Sequence, residues 1–150
     1  MSLASLIADH KIVVCVGTGG VGKTTVAASF AVHGALAGRR AMVLTIDPAR
    51  RLAQSLGLHE LRGDRQQIDL TELERLGRAT AGLLSAGMLD QKSAWDEFIA
   101  RHAPNEEACR AILRNEFYQQ MSRSFAGSTE YMAIEELCRI DESGEYDLVV

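Results

Sequence analysis

The chain has 150 residues, 47% of them apolar, with 16 basic and 20 acidic side chains and a formal net charge of −4. This length suits one domain or part of one, and the apolar fraction is enough to build a core. The acidic balance disfavours nucleic acid and anionic membrane surfaces as partners, and no apolar run approaches the ~18 residues that span a bilayer.

The cysteine and histidine residues predict neither a disulfide framework nor a metal centre. The cysteines are odd in number and widely spaced, which is typical of reduced thiols in a cytoplasmic protein. Residues 1–10 lack the basic start of a secretory signal. The histidines have no metal-ligand spacing with one another or with the cysteines. The residues concerned are Cys15, Cys109, Cys138, His10, His33, His59 and His102.

A strand, a glycine-rich loop and a helix are predicted in succession near the start. Residues 11–16 (KIVVCV) form a β-branched run that is apolar on both faces, as a buried parallel strand should be. Residues 17–25 (GTGGVGKTT) fit the phosphate-binding loop, or Walker A pattern, in which four residues separate two glycines and Lys and Thr follow the second glycine. Residues 24–37 are rich in alanine and predict a helix that Gly38 ends.

This loop has the chemistry of a nucleoside triphosphate site. Its glycines let backbone N–H groups converge on a phosphate, and the helix behind it directs its positive dipole end the same way. Lys23 can reach the β- and γ-phosphates, and the Thr24 hydroxyl is a hard oxygen ligand for Mg²⁺. The predicted nucleotide-binding residues are Gly17, Thr18, Gly19, Gly20, Val21, Gly22, Lys23, Thr24 and Thr25.

A second buried strand is predicted at residues 41–46, and Asp47 follows it. A right-handed βαβ unit brings the ends of both strands to one edge of the sheet, so Asp47 is expected near the phosphates. Its carboxylate could orient or deprotonate a water molecule, or hold the Mg²⁺ shell through water. Asp47-Pro48 is equally a standard helix opening, in which the carboxylate caps free N–H groups. The local sequence leaves both roles open.

The middle of the chain is predicted from weaker signals. Residues 61–78 are charged and irregular and indicate a surface connection, with a helix start at residues 69–72. Residues 81–89 favour a third strand. Residues 93–102 favour a helix with Trp95, Phe98 and Ile99 on one side, and Pro104-Asn105 ends it before a new helix begins at Glu106.

Apolar residues then recur at helical spacing. A stripe at every fourth residue predicts one helix from Cys109 to Phe125, and Gly127-Ser128 interrupts it. A second helix is predicted on an apolar face of Tyr131, Ile134 and Cys138. The stripe residues are Cys109, Leu113, Phe117, Met121 and Phe125.

The motifs together resemble a known family. GTGGVGKTT with LTIDPARRLAQSLG (residues 44–57) is similar to the arsenical-pump-driving ATPases, a deviant Walker A class of P-loop ATPases that includes the targeting factor for tail-anchored membrane proteins. The resemblance is clearest over residues 11–58. It extends to FAGSTEYMAIEELCRI (residues 125–140) and to YDLVV (residues 146–150), which is similar to the approach to the family's Walker B strand.

The resemblance implies a fold, a reaction and partners. The expected fold is a three-layer α/β P-loop NTPase with a mostly parallel sheet, truncated at the Walker B strand, with residues 1–150 forming the amino-terminal part of one ATPase domain and a helical excursion at about 90–143. The expected function is Mg·ATP binding and, in the complete protein, hydrolysis to ADP and phosphate that drives a conformational cycle in a homodimer or pseudo-dimer. The implied catalytic residues are Lys23 and Asp47. This fragment alone should be weak or inactive as a hydrolase.

Three departures from the family pattern qualify that expectation. The family's signature lysine, which reaches the partner subunit's nucleotide, is replaced by Thr18, which carries no charge. Arg50 and Arg51 stand where the family has His and a small polar residue; they could contact phosphate or a partner, or lie on a solvated helix face. Asp147 precedes the last apolar run, so the Walker B aspartate and second switch are expected beyond Val150.

Two other functions stay open at this stage. One is a nucleotide-gated carrier for hydrophobic helices or anions, with a membrane protein as partner or client; Phe117, Met121 and Met132 could line an apolar groove, or pack in the core. The other is a partition-type DNA-segregation ATPase, which the acidic balance disfavours, so no nucleic acid is expected.

Overall fold

The computed structural model describes residues 3–46, 49–61, 65–78, 81–124 and 129–150, with the side chains of residues 49, 123 and 124 left out. The chain divides into two compact units. The first comprises Met1–Met88 and Ile140–Val150, and the second comprises Leu89–Arg139.

The first unit is an α/β layer structure. In chain order its elements are α1 (Leu3–Asp9), α2 (Lys23–Leu36), β1 (Arg40–Thr45), α3 (Ala49–Ser55), β2 (Arg65–Gln67), α4 (Thr71–Arg75), β3 (Leu83–Met88) and β4 (Leu148–Val149). The described strands form one sheet in the order β2-β3-β1-β4. β1 runs parallel to β3 and β4, whereas β2 is antiparallel to β3. This confirms the predicted α/β fold with a mostly parallel sheet.

The helix after the glycine-rich loop packs on this sheet as predicted. Because small side chains let a helix approach closely, α2 buries Ala27, Ala28, Ala31 and Ala35 against the core. The chain leaves the helix through Gly38, whose φ of 88° is accessible to glycine at little cost. The core on the sheet side includes Val43, Leu84 and Leu148, which are at most 1% exposed.

The segment predicted as the first strand differs from expectation. Residues 11–16 make one isolated parallel bridge, between Ile12 and Val149, supported by bonds from the Val13 N–H to the Val149 carbonyl (2.9 Å) and from the Val149 N–H to the Lys11 carbonyl (2.7 Å). Val14 and Val16 are 65% and 84% exposed. The prediction of burial on both faces is therefore wrong for these residues, because in the described chain the segment has β4 alone as neighbour.

Two of the remaining predictions for this unit hold and one does not. β3 confirms the strand predicted at residues 81–89, and α4 confirms a helix start near residue 70, where the Asp69 carboxylate accepts a bond from the Thr71 N–H (2.9 Å). The interpretation of residues 61–78 as a mere surface connection is wrong, since β2 lies within it. β2 has the sequence RQQ and is held through its backbone rather than by apolar side chains, so it carries no alternating pattern.

The second unit is helical in its described residues. It contains α5 (Gln91–His102), α6 (Glu106–Arg114), α7 (Glu116–Ser124) and most of α8 (Thr129–Ser143). Asp90 and Asn105 cap α5 and α6, since their side-chain oxygens accept bonds from the Ser93 N–H (2.7 Å) and the Ala108 N–H (2.8 Å). Helices at the predicted starts are thereby confirmed.

The single helix predicted over residues 109–125 is wrong. Asn115 is extended between α6 and α7, and its side chain accepts a bond from the Tyr118 N–H (3.1 Å), so it restarts the helix. Phe117, in the middle of the predicted stripe, is 70% exposed. The cap formed by the Asn115 side chain therefore divides the helix that the apolar periodicity predicts.

The apolar face predicted for α8 also needs correction. Tyr131, Ile134 and Cys138 are exposed, whereas Met132 is fully buried with Leu89 and Ala94. Met132 thus belongs to the core of the second unit. Because Met132 is fully buried, it does not line an open groove. In the described ranges no helix is long and apolar enough to cross a membrane.

A charged pair joins the beginning of β1 to the residue before β4. The Asp147 carboxylate accepts bonds from the Arg40 Nη2 (2.7 Å), Nε (3.1 Å) and backbone N–H (2.9 Å). These bonds from Arg40 lower the pKa of Asp147 to about 2. Asp147 thus has a structural role at the sheet.

We expect Asp147→Asn to lower the melting temperature at pH 7, because the charged form of Asp147 is the one that Arg40 stabilises. A carboxyl with a depressed folded-state pKa stabilises the fold above its unfolded pKa of about 3.9, and this contribution is lost as the pH falls towards 2. Thermal unfolding of both proteins between pH 7 and pH 2 should therefore show a difference that narrows below about pH 4. A difference that stays constant down to pH 2 would contradict the assignment.

Candidate functional site

A cavity of about 470 Å³ opens beside the glycine-rich loop, between the start of α2 and α3. We call it the loop cavity. All of its lining residues belong to the first unit. They are Gly20, Gly22, Lys23, Thr24, Thr25, Arg51, Gln54 and Ser55.

The loop presents open backbone to this cavity. Gly20 and Gly22 adopt φ angles of 82° and 87°, in the left-handed region where a side chain is strained. A Cβ built at Gly19, Gly20 or Gly22 would meet no atom within 4 Å, so the space in front of the backbone is clear. An anion can therefore approach the loop N–H groups directly.

Gly22 caps α2 without a side-chain hydrogen bond. The first N–H groups of a helix have no partner within the helix, and Gly22 offers none for them in the described chain. The backbone dipoles of α2 add a partial positive charge at the same point. This helix start thus suits an anionic group such as a phosphate.

Two side chains from the first turn of α2 supply the chemistry expected of the loop. Lys23 is half-buried, and its Nζ donates a hydrogen bond to the Thr18 carbonyl (3.0 Å). This contact holds the ammonium group across the loop. Thr24 is also half-buried and lines the cavity, where its hydroxyl oxygen is available as a ligand.

The opposite wall is built by α3. Leu52 and Ala53 are fully buried and fix this helix against the core. Arg51, Gln54 and Ser55 follow the spacing i, i+3 and i+4, which places them on one helix face. That face lines the cavity.

Hydroxyl groups connect the two walls. The Thr25 Oγ1 lies 3.4 Å from the Ser55 Oγ, and the Ser55 hydroxyl donates to the Arg51 carbonyl (3.0 Å). The contact links α2 to the backbone of α3.

The donor set fits a Mg²⁺ ion that arrives with a nucleotide. Among the described residues, no group of three His, Cys, Asp or Glu side chains could hold a metal ion. The cavity offers Thr24 and Thr25 hydroxyls and no carboxylate from the described chain. Mg²⁺ is commonly held by few protein ligands together with substrate phosphates, and Thr24 suits that arrangement.

The predicted site residues fall into three groups. The structure brings Gly20, Gly22, Lys23, Thr24 and Thr25 together in the cavity. Other predicted loop residues lie outside the lining of the cavity. Asp47 and Pro48 lie outside the described residues, so the role of Asp47 stays a prediction. The loop residues outside the lining are Gly17, Thr18, Gly19 and Val21.

Sequence reasoning missed part of the site. The sequence does not predict Gln54 and Ser55 as site residues, and it leaves Arg51 open between contact with phosphate or a partner and a solvated helix face. The available signal was the i, i+3, i+4 spacing of three polar residues just after the second strand. Because that spacing is also typical of an exposed helix face, it could not identify the cavity by itself.

Comparisons with known proteins agree with the motifs. The family described as "Anion-transporting ATPase" matches residues 10–150. The chain is 28% identical over 145 residues to a protein named "ATPase GET3" from Malassezia globosa (strain ATCC MYA-4612 / CBS 7966), a match that covers 93% of this chain and 38% of that relative. The chain thus spans less than two fifths of the length of that relative. Since the family match extends over nearly the whole sequence, the chain belongs to the anion-transporting ATPase family.

Proposed function

We propose that this chain carries the phosphate-binding part of an ATPase that binds Mg·ATP and, in the complete protein, hydrolyses it to ADP and phosphate. The single observation that carries the proposal is the cavity in which Lys23 and Thr24 stand beside clear glycine backbone. Membership of an ATPase family supports the same reaction.

Each residue has a distinct part in the proposed reaction. The loop N–H groups and the start of α2 bind the phosphates, and Lys23 neutralises the charge that develops on them during transfer to water. Thr24 would hold Mg²⁺, which when bound would supply charge stabilisation to the phosphates. Asp47 orients the attacking water.

The remaining family expectations are proposals about the complete protein. We propose that hydrolysis drives a conformational cycle in a homodimer or pseudo-dimer in the cytoplasm, with a membrane protein as partner or client. The contact between Thr25 and Ser55 offers a route by which the state of the phosphates could affect α3. Neither comparison favours the carrier or the DNA-segregation alternative.

Calorimetric titration of the intact protein with ATP and ADP, with and without Mg²⁺, tests the proposal. We expect both nucleotides to bind in Mg²⁺, and we expect phosphate release from ATP to stop when EDTA removes the metal. Binding of neither nucleotide by the intact protein would overturn the proposed function. Nucleotide binding without phosphate release would support the proposed binding site but contradict the proposed ATP hydrolysis.

A further inference from the structure

We propose that Arg51 is a second cation at the phosphate site and contacts the terminal phosphates of the nucleotide from α3. This inference rests on the proposed function and assigns a ligand contact on the wall opposite the loop. Arg51 lies on an exposed face of α3, and that face also lines the loop cavity.

The position of Arg51 is set by the packing of α3. Leu52, the next residue, is fully buried, so α3 is fixed in its rotation about its axis. The Arg51 carbonyl also accepts the Ser55 hydroxyl, which in turn lies 3.4 Å from Thr25 at the loop. Arg51 therefore lines the cavity from a helix that is packed against the core.

The charge of the site also favours this role. Lys23 and Arg51 are both in the cavity lining, and none of the lining residues in the described part of the chain is acidic. No acidic side chain in the described ranges is bonded to the Arg51 guanidinium. Two cations facing one cavity repel each other unless an anion lies between them, so the site is complementary to a group with several negative charges.

The loop itself provides a single positive side chain. Position 18 is threonine, and its carbonyl accepts the Lys23 ammonium, so the position contributes an acceptor and no charge. Any second positive side chain in the cavity lining therefore lies outside the loop. Among the described residues lining the cavity, Arg51 is this side chain.

Arginine is well suited to this contact. Its guanidinium is always charged and can donate two parallel hydrogen bonds to phosphate oxygens. The lysine of a phosphate-binding loop reaches the β- and γ-phosphates. A second cation that lines the same cavity as Lys23 is therefore expected at the same end of the nucleotide. The contact should therefore be stronger with ATP than with ADP.

Two neighbouring arginines provide a matched pair for the test. Arg51→Ala and Arg50→Ala remove the same charge from adjacent positions of α3. Both residues are exposed, but Arg50 does not line the cavity. The affinities of the intact protein variants for Mg·ATP and Mg·ADP are measured by calorimetry. We expect Arg51→Ala to weaken ATP binding about tenfold or more, ADP binding less, and Arg50→Ala to change either by less than about twofold.

The same titrations separate failure of this inference from failure of the proposed function. If the wild-type protein binds ATP and Arg51→Ala matches Arg50→Ala, the assignment of Arg51 is overturned and the phosphate loop remains. Equal losses for ATP and ADP would overturn the contact with the terminal phosphate. If the wild-type protein binds neither nucleotide, both proposals fail. Arg51→Lys should recover part of the ATP affinity, since it restores the charge without the guanidinium fork.

Discussion

Replacing Lys23 with alanine is expected to lower the affinity for Mg·ATP by about 10²-fold or more. The ammonium group lies at the loop cavity beside clear backbone, and a hydrogen bond to a charged group contributes about 1.5–3 kcal/mol. Contacts to two phosphates then amount to roughly two to four powers of ten in affinity. Calorimetric titration of the intact protein would measure the loss.

The fold should survive this substitution. The Lys23 ammonium is bonded to the exposed Thr18 carbonyl, so its removal leaves no buried polar atom unsatisfied. We expect the melting temperature without nucleotide to stay close to that of the wild type, while the stabilisation by Mg·ATP is lost.

Lys11→Ala is a suitable control for the change in net charge. Lys11 forms an exposed ion pair with Asp141 and does not line the cavity, so its loss should change ATP affinity by less than about twofold. Equal effects of the two lysine variants would mean that general electrostatics, rather than the loop, governs binding. Unchanged affinity in Lys23→Ala would remove the loop from the proposed site.

Much of the site was predictable because its constraints are local. A loop that must turn tightly and expose N–H groups requires glycine at fixed positions, and the lysine and threonine must follow on the first helical turn. These requirements appear directly in residues 17–25. The alanine face of α2 and the end at Gly38 are equally local, and the structure agrees with both.

The features that could not be predicted from the sequence depend on contacts with residues far along the chain. Residues 11–16 have a strand composition, yet their burial is decided by the strands beside them, and in the described chain Val149 alone pairs with Ile12. β2 exists because β3 offers it backbone partners, not because its own side chains are apolar. Arg51 becomes a cavity residue only through the packing of α3 on α2. Such outcomes depend on tertiary contacts, which override local preference.

The topology of the described strands bears on Asp47, although Asp47 itself lies outside them. β1 and β4 are parallel, and Ile12 is bridged in parallel to Val149, so the glycine-rich loop and the residues after β1 leave the sheet at the same edge. Ile46 is the last described residue after β1 at that edge, and Arg51, in the first turn of α3, lines the loop cavity. A connection this short between Ile46 and α3 supports the proposal that Asp47 reaches the phosphates.

Asp47→Asn is expected to lower ATP turnover by about 10²-fold while affinity for Mg·ATP changes little. Asparagine caps a helix about as well as aspartate but cannot accept a proton from water or carry its charge. The variant therefore separates the catalytic role from the capping role. Phosphate release in the steady state, together with calorimetric affinities of the intact protein, would measure the two effects.

Asp47→Ala completes the comparison, since it removes the carboxylate and the cap together. If Asp47 both assists the water and caps the helix, both variants lose turnover, and alanine alone also lowers stability, by about 1 kcal/mol. If Asp47 is only a helix cap, Asp47→Asn keeps wild-type turnover and stability, and Asp47→Ala loses stability without a specific loss in the chemical step. Wild-type turnover in Asp47→Ala would exclude Asp47 from the mechanism, and the water would then have to be oriented by another group.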